Sequence, residues 1–193
     1  LGRAAPVAMA QSLPPPDIGG RSWFLFDVTT NTVLYSQAPD ERGEPASRTK
    51  LMTAYVGFEA LRDGTLNMDT RPPVSQAAYK AIGSRMFVDP RKPATVEELL
   101  HGLIIQSGND AAIILAEAVS GSEEAFAQQM NAEARRIGMK NSHFVNASGL
   151  PAPEPYSTAR DMALLATRII KEFPDYYRMY SEKEYPFNGV RPP

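Results

Sequence analysis

Apolar positions along the chain change their period several times, and the changes divide it into elements. Ser22 to Val28 (Ser-Trp-Phe-Leu-Phe-Asp-Val) and Thr32 to Ser36 (Thr-Val-Leu-Tyr-Ser) are rich in β-branched and aromatic residues. They flank Thr29-Thr30-Asn31 and predict a β-hairpin. After Pro45 the pattern becomes helical, with Leu51, Met52, Ala54, Tyr55, Val56, Phe58, Ala60 and Leu61 apolar on nearly every face. A helix apolar all round is a buried one, and Gly64 is placed to end it. Residues 65–94 are broken by Pro72, Pro73, Pro90 and Pro93 and read as loop, with a short helix over 74–81 and an extended stretch over 83–88. Thr95-Val96-Glu97-Glu98 is a capping box that opens a helix carrying Leu99, Leu100, Leu103 and Ile104. That helix breaks at Ser107-Gly108-Asn109-Asp110, where Asp110 is suited to cap the next helix, predicted over Ala111–Val119. Ser122 caps a further helix bearing Phe126, Met130 and Ala134, which stops at Gly138. Thr158 caps another, with Met162, Leu165, Ile169 and Ile170 inward, and Pro174 closes it. Tyr185 to Pro193 reads as the start of a strand.

The 193 residues are 43% hydrophobic and 22% charged, which suits one soluble globular domain or a piece of a larger one. The formal net charge of −2 comes without a basic run, so no nucleic-acid partner is expected. There is no cysteine, hence no disulfide, no thiolate nucleophile and no cysteine-based metal site. No apolar run approaches the roughly 20 residues of a membrane-spanning helix. The start, Leu1 to Gln11, resembles the end of a secretory signal, with Ala8-Met9-Ala10 as a small-x-small cleavage site. Pro14-Pro15-Pro16 and Gly19-Gly20 then make an extended linker. The domain reading is a signal remnant and linker over 1–16 and one incomplete domain over 17–193.

Two polar interruptions of apolar helices carry the candidate chemistry. Ser47 and Lys50, three residues apart, share a face at the start of the buried helix. Free N–H groups at that end favour developing negative charge. A serine hydroxyl needs a base. The two histidines, His101 and His143, are remote in sequence, which leaves Lys50 as the local base. To serve, Lys50 must be neutral near pH 7, through burial beside other cations. The plainer alternative is an ordinary helix start, with Ser47 as cap and Lys50 in solvent. Ser107 and Asn109 form the second interruption. They read either as a tight interhelical turn or as a loop facing a cleft, where Ser107 relays a proton and Asn109 holds a substrate amide. His101 reads as a surface or interface side chain, His143 as packing beneath a loop, and Arg48 as exposed.

Ser47-x-x-Lys50 after a hairpin, followed by Ser107-x-Asn109 between helices, resembles the penicillin-recognising serine peptidases. Within them the chain is most similar to the low-molecular-mass D-alanyl-D-alanine carboxypeptidases of the penicillin-binding protein 5/6 type. The matching segments are Pro45–Thr53, Gln106–Ala112, Gly138–Phe144 and Ser157–Ala163, with Trp23–Tyr35 and Glu184–Arg191 beside them, so the likeness covers about residues 20–193. It implies an α/β (α+β) fold of the β-lactamase/transpeptidase type, an antiparallel sheet flanked by helices with a helical lobe.

The resemblance also implies a reaction. Ser47 attacks the carbonyl between two D-alanines of a peptidoglycan stem peptide, Lys50 takes its proton, and Ser107 passes a proton to the leaving amine. Asn109 and Gly108 of the second motif, and Ser84 in a cleft-rim segment, are the substrate-binding positions. The Ser47 backbone N–H supplies half of an oxyanion hole. β-Lactams acylate Ser47. Neither metal nor organic cofactor is required, and the location is periplasmic or exported, with membrane anchoring through a later segment. One departure stands out: no lysine is followed by Thr-Gly or Ser-Gly, the family's third motif. The family carries it shortly after the region matching Phe187-Asn188-Gly189-Val190-Arg191, which makes a C-terminal truncation the expectation. Two strands alone are marginal, so this piece is expected to fold and work poorly by itself. Rival readings are a class A β-lactamase, with Glu154 the only acid in a comparable loop, a non-catalytic peptidoglycan-binding relative, and an endopeptidase.

Overall fold

The computed structural model describes residues 23–27 and 32–182. The leader, the linker, the hairpin turn and the tail from Tyr185 lie outside the described residues. β1 (Trp23–Asp27) and β2 (Thr32–Gln37) pair antiparallel, Trp23 opposite Gln37 and Asp27 opposite Thr32. The register slips between Leu25 and Phe26, as at a β-bulge. Helix α6 packs against β1. The stretch between β2 and the first helix is tied down by Gly43 and Ser157, which exchange backbone hydrogen bonds of 2.9 Å.

Among the described residues seven α-helices follow: α1 (Thr49–Asp63), α2 (Gln76–Tyr79), α3 (Val96–Ile105), α4 (Asn109–Ser120), α5 (Glu123–Ile137), α6 (Ala159–Glu172) and α7 (Pro174–Tyr177). Their ends follow local chemistry. Thr95 and Glu98 form the reciprocal capping box of α3. The Ser122 and Thr158 hydroxyls accept from the N–H groups of Ala125 and Asp161, both at 3.1 Å. Gly64, at φ 82°, takes the left-handed conformation that closes α1.

α1 is the hub, in contact with α3, α4, α5 and α6. Its Met52, Tyr55, Val56 and Phe58 are fully buried, among Leu99 and Leu100 of α3, Ile114 and Leu115 of α4, Phe126 and Met130 of α5, and Leu165 and Ile169 of α6. Each such side chain contributes roughly 1.5–3 kcal/mol, so the all-round apolar pattern has a direct energetic cause. No helix among the described residues is long and apolar enough to cross a membrane.

Three expectations need correction. Residues 83–88 are not a plain extended stretch, since Gly83 (φ 77°) and Phe87 (φ 61°) turn left-handed. Asp110 does not cap α4: Gly108 is the cap and α4 begins at Asn109. The Asp110 carboxylate instead accepts from the N–H groups of Met86 (3.0 Å) and Val88 (3.2 Å). His101 is buried on α3 rather than exposed, with Nδ1 2.9 Å from a Glu182 carboxylate oxygen.

Candidate active site

Ser47 lies in a single 3₁₀ turn, Ala46–Arg48, that runs directly into α1. The cap positions are Pro45 for the turn and Arg48 for α1, and neither makes a side-chain cap bond. Ser47 therefore does not serve as a helix cap, and its side chain is exposed. Just before it, Ala46 is held at φ 48°, a conformation that costs a non-glycine residue energy.

Lys50, one turn later, is 7% exposed. Its Nζ donates to the Ser148 carbonyl at 2.8 Å, and Thr53 Oγ1 donates to the Ala147 carbonyl at 2.6 Å. Burial pushes the Lys50 pKa below its ordinary value. The neighbouring cations of the sequence reading contribute nothing to this shift; burial is its one cause. A backbone carbonyl also accepts from a neutral amine, so this bond does not require the charged form.

The segment that receives Lys50 escaped sequence reasoning. Asn146 folds it into a turn, accepting from Gly149 N at 2.7 Å and donating to the Leu150 carbonyl at 3.1 Å. Gly149 sits at φ 78°, and a Cβ there would run into the Ala46 carbonyl group. The turn backbone thus lies directly against the strained turn bearing Ser47. A residual signal existed: Asn146-x-Ser148-Gly149 is turn chemistry, but nothing local says what the turn packs against.

Ser107 occupies the break between α3 and α4, at φ 53°. The break is held by Gln106 N and Gly108 N, which both donate to the Gly102 carbonyl, at 3.2 and 3.1 Å. Ser47, Lys50 and Ser107 line one cleft of about 220 Å³, walled by Leu51, Leu103, Ile104, Met162 and Tyr180. A hydroxyl nucleophile, a buried amine of lowered basicity and a second hydroxyl on apolar walls form a set suited to acyl transfer.

Asn109 is buried and stands beside this cleft rather than in its wall. Its N–H donates to the Ser84 carbonyl and its side-chain Nδ2 to the Ile82 carbonyl, both at 2.7 Å. Ser84 is exposed, on the segment so anchored. Gly108 has little room, with Asp110 Oδ1 and the Gly102 carbonyl within 3.3 Å of where a Cβ would stand. His143 exchanges backbone hydrogen bonds with Tyr156 and faces its ring, a packing role. Arg48 is exposed as expected, although it borders the cleft. Glu154 is exposed at φ 84° and does not line the cleft, so the acid of a class A β-lactamase has no counterpart there. No group of three or more His, Cys, Asp or Glu side chains among the described residues is arranged to hold a metal ion.

The family model described as D-alanyl-D-alanine carboxypeptidase (peptidase S11) matches residues 8–191. The chain belongs to this family. It is 41% identical to D-alanyl-D-alanine carboxypeptidase DacC of Escherichia coli K12 over 98% of its own length and 49% of the relative's. Penicillin-binding protein 5 of Haemophilus influenzae superposes with a TM-score of 0.88 at 37% identity, covering 94% of this chain and 54% of that one. Penicillin-binding protein D2 of Listeria monocytogenes, solved in an ampicillin-bound form, gives 0.81 at 26% identity, covering 93% and 73%. The fold is accordingly the β-lactamase-like fold of the penicillin-binding proteins. The chain spans about half the length of the curated relatives it matches.

Proposed function

We propose that this chain is the part of a serine-type D-Ala-D-Ala carboxypeptidase that carries the nucleophile and its base. One observation supports the reading above the others: Lys50 is buried, has a carbonyl as its hydrogen-bond partner, and shares a cleft with Ser47 and Ser107. Neutral Lys50 accepts the Ser47 proton as Oγ adds to the penultimate D-Ala carbonyl. The oxyanion forms beside the Ser47 N–H at the positive end of α1. Collapse expels the terminal D-alanine, whose amine takes a proton from Lys50 by way of Ser107. Water then attacks the acyl-enzyme with Lys50 again as base, releasing the shortened stem peptide and restoring Ser47. Asn109 contributes by holding the cleft-rim segment and Ser84 in place for the peptide, and Gly108 by holding the break that carries Ser107. The rigid four-atom ring of a β-lactam presents a comparable amide, and its acyl product remains on Ser47.

The substrate is peptidoglycan, so the site of action lies outside the cytoplasm, in the periplasm or at the membrane face. Residues 17–193 are assigned to the β-lactamase-like domain and residues 1–16 to a signal remnant and linker. The test is the intact mass of the natural full-length protein before and after benzylpenicillin, with the adduct mapped by peptide digestion. One penicilloyl group on Ser47 is expected. A protein that stays unmodified contradicts the assignment and favours a non-catalytic peptidoglycan-binding role.

A further inference from the structure

Four large hydrophobic side chains among the described residues are strongly exposed, and three of them lie within nine residues of one another: Tyr79 (59%), Ile82 (69%) and Phe87 (69%). Exposed apolar side chains gathered this closely mark an interaction surface. The segment that bears Ile82 and Phe87 has no regular structure, yet it is clamped. The first turn of α4 holds it at four points: Asn109 takes the carbonyls of Ile82 and Ser84, and Asp110 takes the N–H groups of Met86 and Val88. The last two flank Phe87, so the clamp pins the chain on either side of that ring and turns it outward at φ 61°. A bulky residue held in this conformation and exposed to water gains nothing in folding from either feature, a combination that points to function.

Beside the ring is a cavity of about 370 Å³ lined by Tyr79, Arg85, Phe87, Val88, Asp89 and Arg91 together with Asp110. The Arg85 guanidinium lies over the Phe87 ring, 4.5 Å from its centre, and its buried Nε has no hydrogen-bond partner among the described residues. Arg91 is held loosely, 3.8 Å from Asp89. The cavity therefore places two guanidinium groups, Arg85 and the loosely held Arg91, which match a planar carboxylate, next to flat aromatic faces, which match the apolar face of a sugar ring. Its lining residue Asp110 is three residues from Ser107 of the catalytic cleft, across the start of α4.

We infer that the 79–91 platform is a second substrate subsite, which takes the glycan-proximal, carboxylate-bearing part of a muramyl peptide while its far end lies in the Ser47 cleft. The sugar ring rests on Phe87 and Tyr79, and a stem carboxylate meets Arg85 and Arg91. Binding energy from this remote part of the substrate then serves the reaction at Ser47. The inference rests on the carboxypeptidase reading for its account of catalysis, but its binding test does not.

In the natural full-length protein, D-Ala release is compared between a muramyl pentapeptide and a short N-acylated peptide with the same D-Ala-D-Ala end. Wild type, Arg85→Ala and Phe87→Ala are measured, and binding of a muramyl tripeptide, which lacks both D-alanines, is followed by calorimetry. The ratio of kcat/KM for the long over the short substrate is expected to fall about tenfold in either variant, through loss of a charge-assisted contact in Arg85→Ala and of the aromatic stacking face in Phe87→Ala. Muramyl tripeptide binding is expected to weaken by a similar factor. A ratio that stays at the wild-type value, or wild-type protein that does not bind the tripeptide, overturns the subsite. If no substrate is cleaved but the tripeptide binds and depends on Arg85, the subsite stands and the carboxypeptidase reading fails.

Discussion

Both ends of α1 bury an ionisable side chain, and the helix treats them in opposite ways. Lys50, in its first turn, meets a carbonyl oxygen. Glu59, more than two turns on, meets ions: Arg136 at 3.2 Å and Arg62 at 3.7 Å, with the Glu133 carboxylate beside them. Around that end Tyr55 donates to Glu172, and Arg136 donates to the Tyr55 hydroxyl at 3.0 Å. Burial disfavours charge at both ends: it lowers the Lys50 pKa unopposed, and with Glu133 it raises the Glu59 pKa against the pull of Arg136 and Arg62. The rear of α1 is a structural junction with α5 and α6. The front keeps a buried amine with no counter-ion among the described residues, which suits it to accept and return a proton.

Replacing the two residues separates these roles. Lys50→Met is expected to slow benzylpenicillin acylation of Ser47 by about 10³-fold, within the range for loss of a general base. Glu59→Gln is expected to leave the rate within about twofold, since a neutral amide preserves the shape of a group remote from the cleft. Stopped-flow or quenched-flow acylation of both variants would break the comparison if the two losses were alike.

Gly149→Ala tests the support of the front end. The added methyl meets the Ala46 carbonyl group, and the left-handed backbone adds strain. We expect a loss of stability of about 1–3 kcal/mol, read by denaturant titration, together with slower acylation because the turn that receives Lys50 is displaced. Unchanged stability and rate would mean that the 146–150 turn does not shape the site.

The rear end yields a smaller, pH-dependent effect. Burial, then the neighbouring Glu133, raises the Glu59 pKa from 4.5 to about 7. The protonated form is thus favoured in the folded state. Its contribution to stability is complete below the unfolded pKa of 4.5 and is lost as pH rises through about 7. The melting temperature is expected to fall by a few degrees between about pH 5 and 8, and Glu59→Gln is expected to flatten that slope. A slope that survives in the variant would place the titration elsewhere.

What could be read from the sequence was what is local. The caps Thr95, Ser122 and Thr158, the stop at Gly64 and the all-round apolar α1 are each set by neighbours within a few residues, and the structure reproduces them. Ser47, Lys50 and Ser107 stand out by residue type and spacing, and the structure places all three along one cleft. The partners do not stand out. Ser148 lies 98 residues from Lys50 and offers a backbone carbonyl, a group every residue possesses. Asp110 looked like a cap because its neighbours are helical, while two of its N–H donors are 22 and 24 residues away. His101 looked exposed for a similar reason: Glu182 reaches it from the end of the described chain. Glu59 carried no signal, since an isolated acid on a helix gives no hint of the arginine and glutamate that α5 brings to it.

The most direct test of the central claim is the rate of Ser47 acylation by benzylpenicillin as a function of pH, in the natural full-length protein and in Lys50→Met. A base must be neutral to act, and burial lowers the Lys50 pKa from 10.5. The rate is therefore expected to rise with pH through a midpoint below 10.5, and that rise is expected to vanish in the variant. A midpoint at the ordinary lysine value, or a rise that persists without Lys50, would contradict the account.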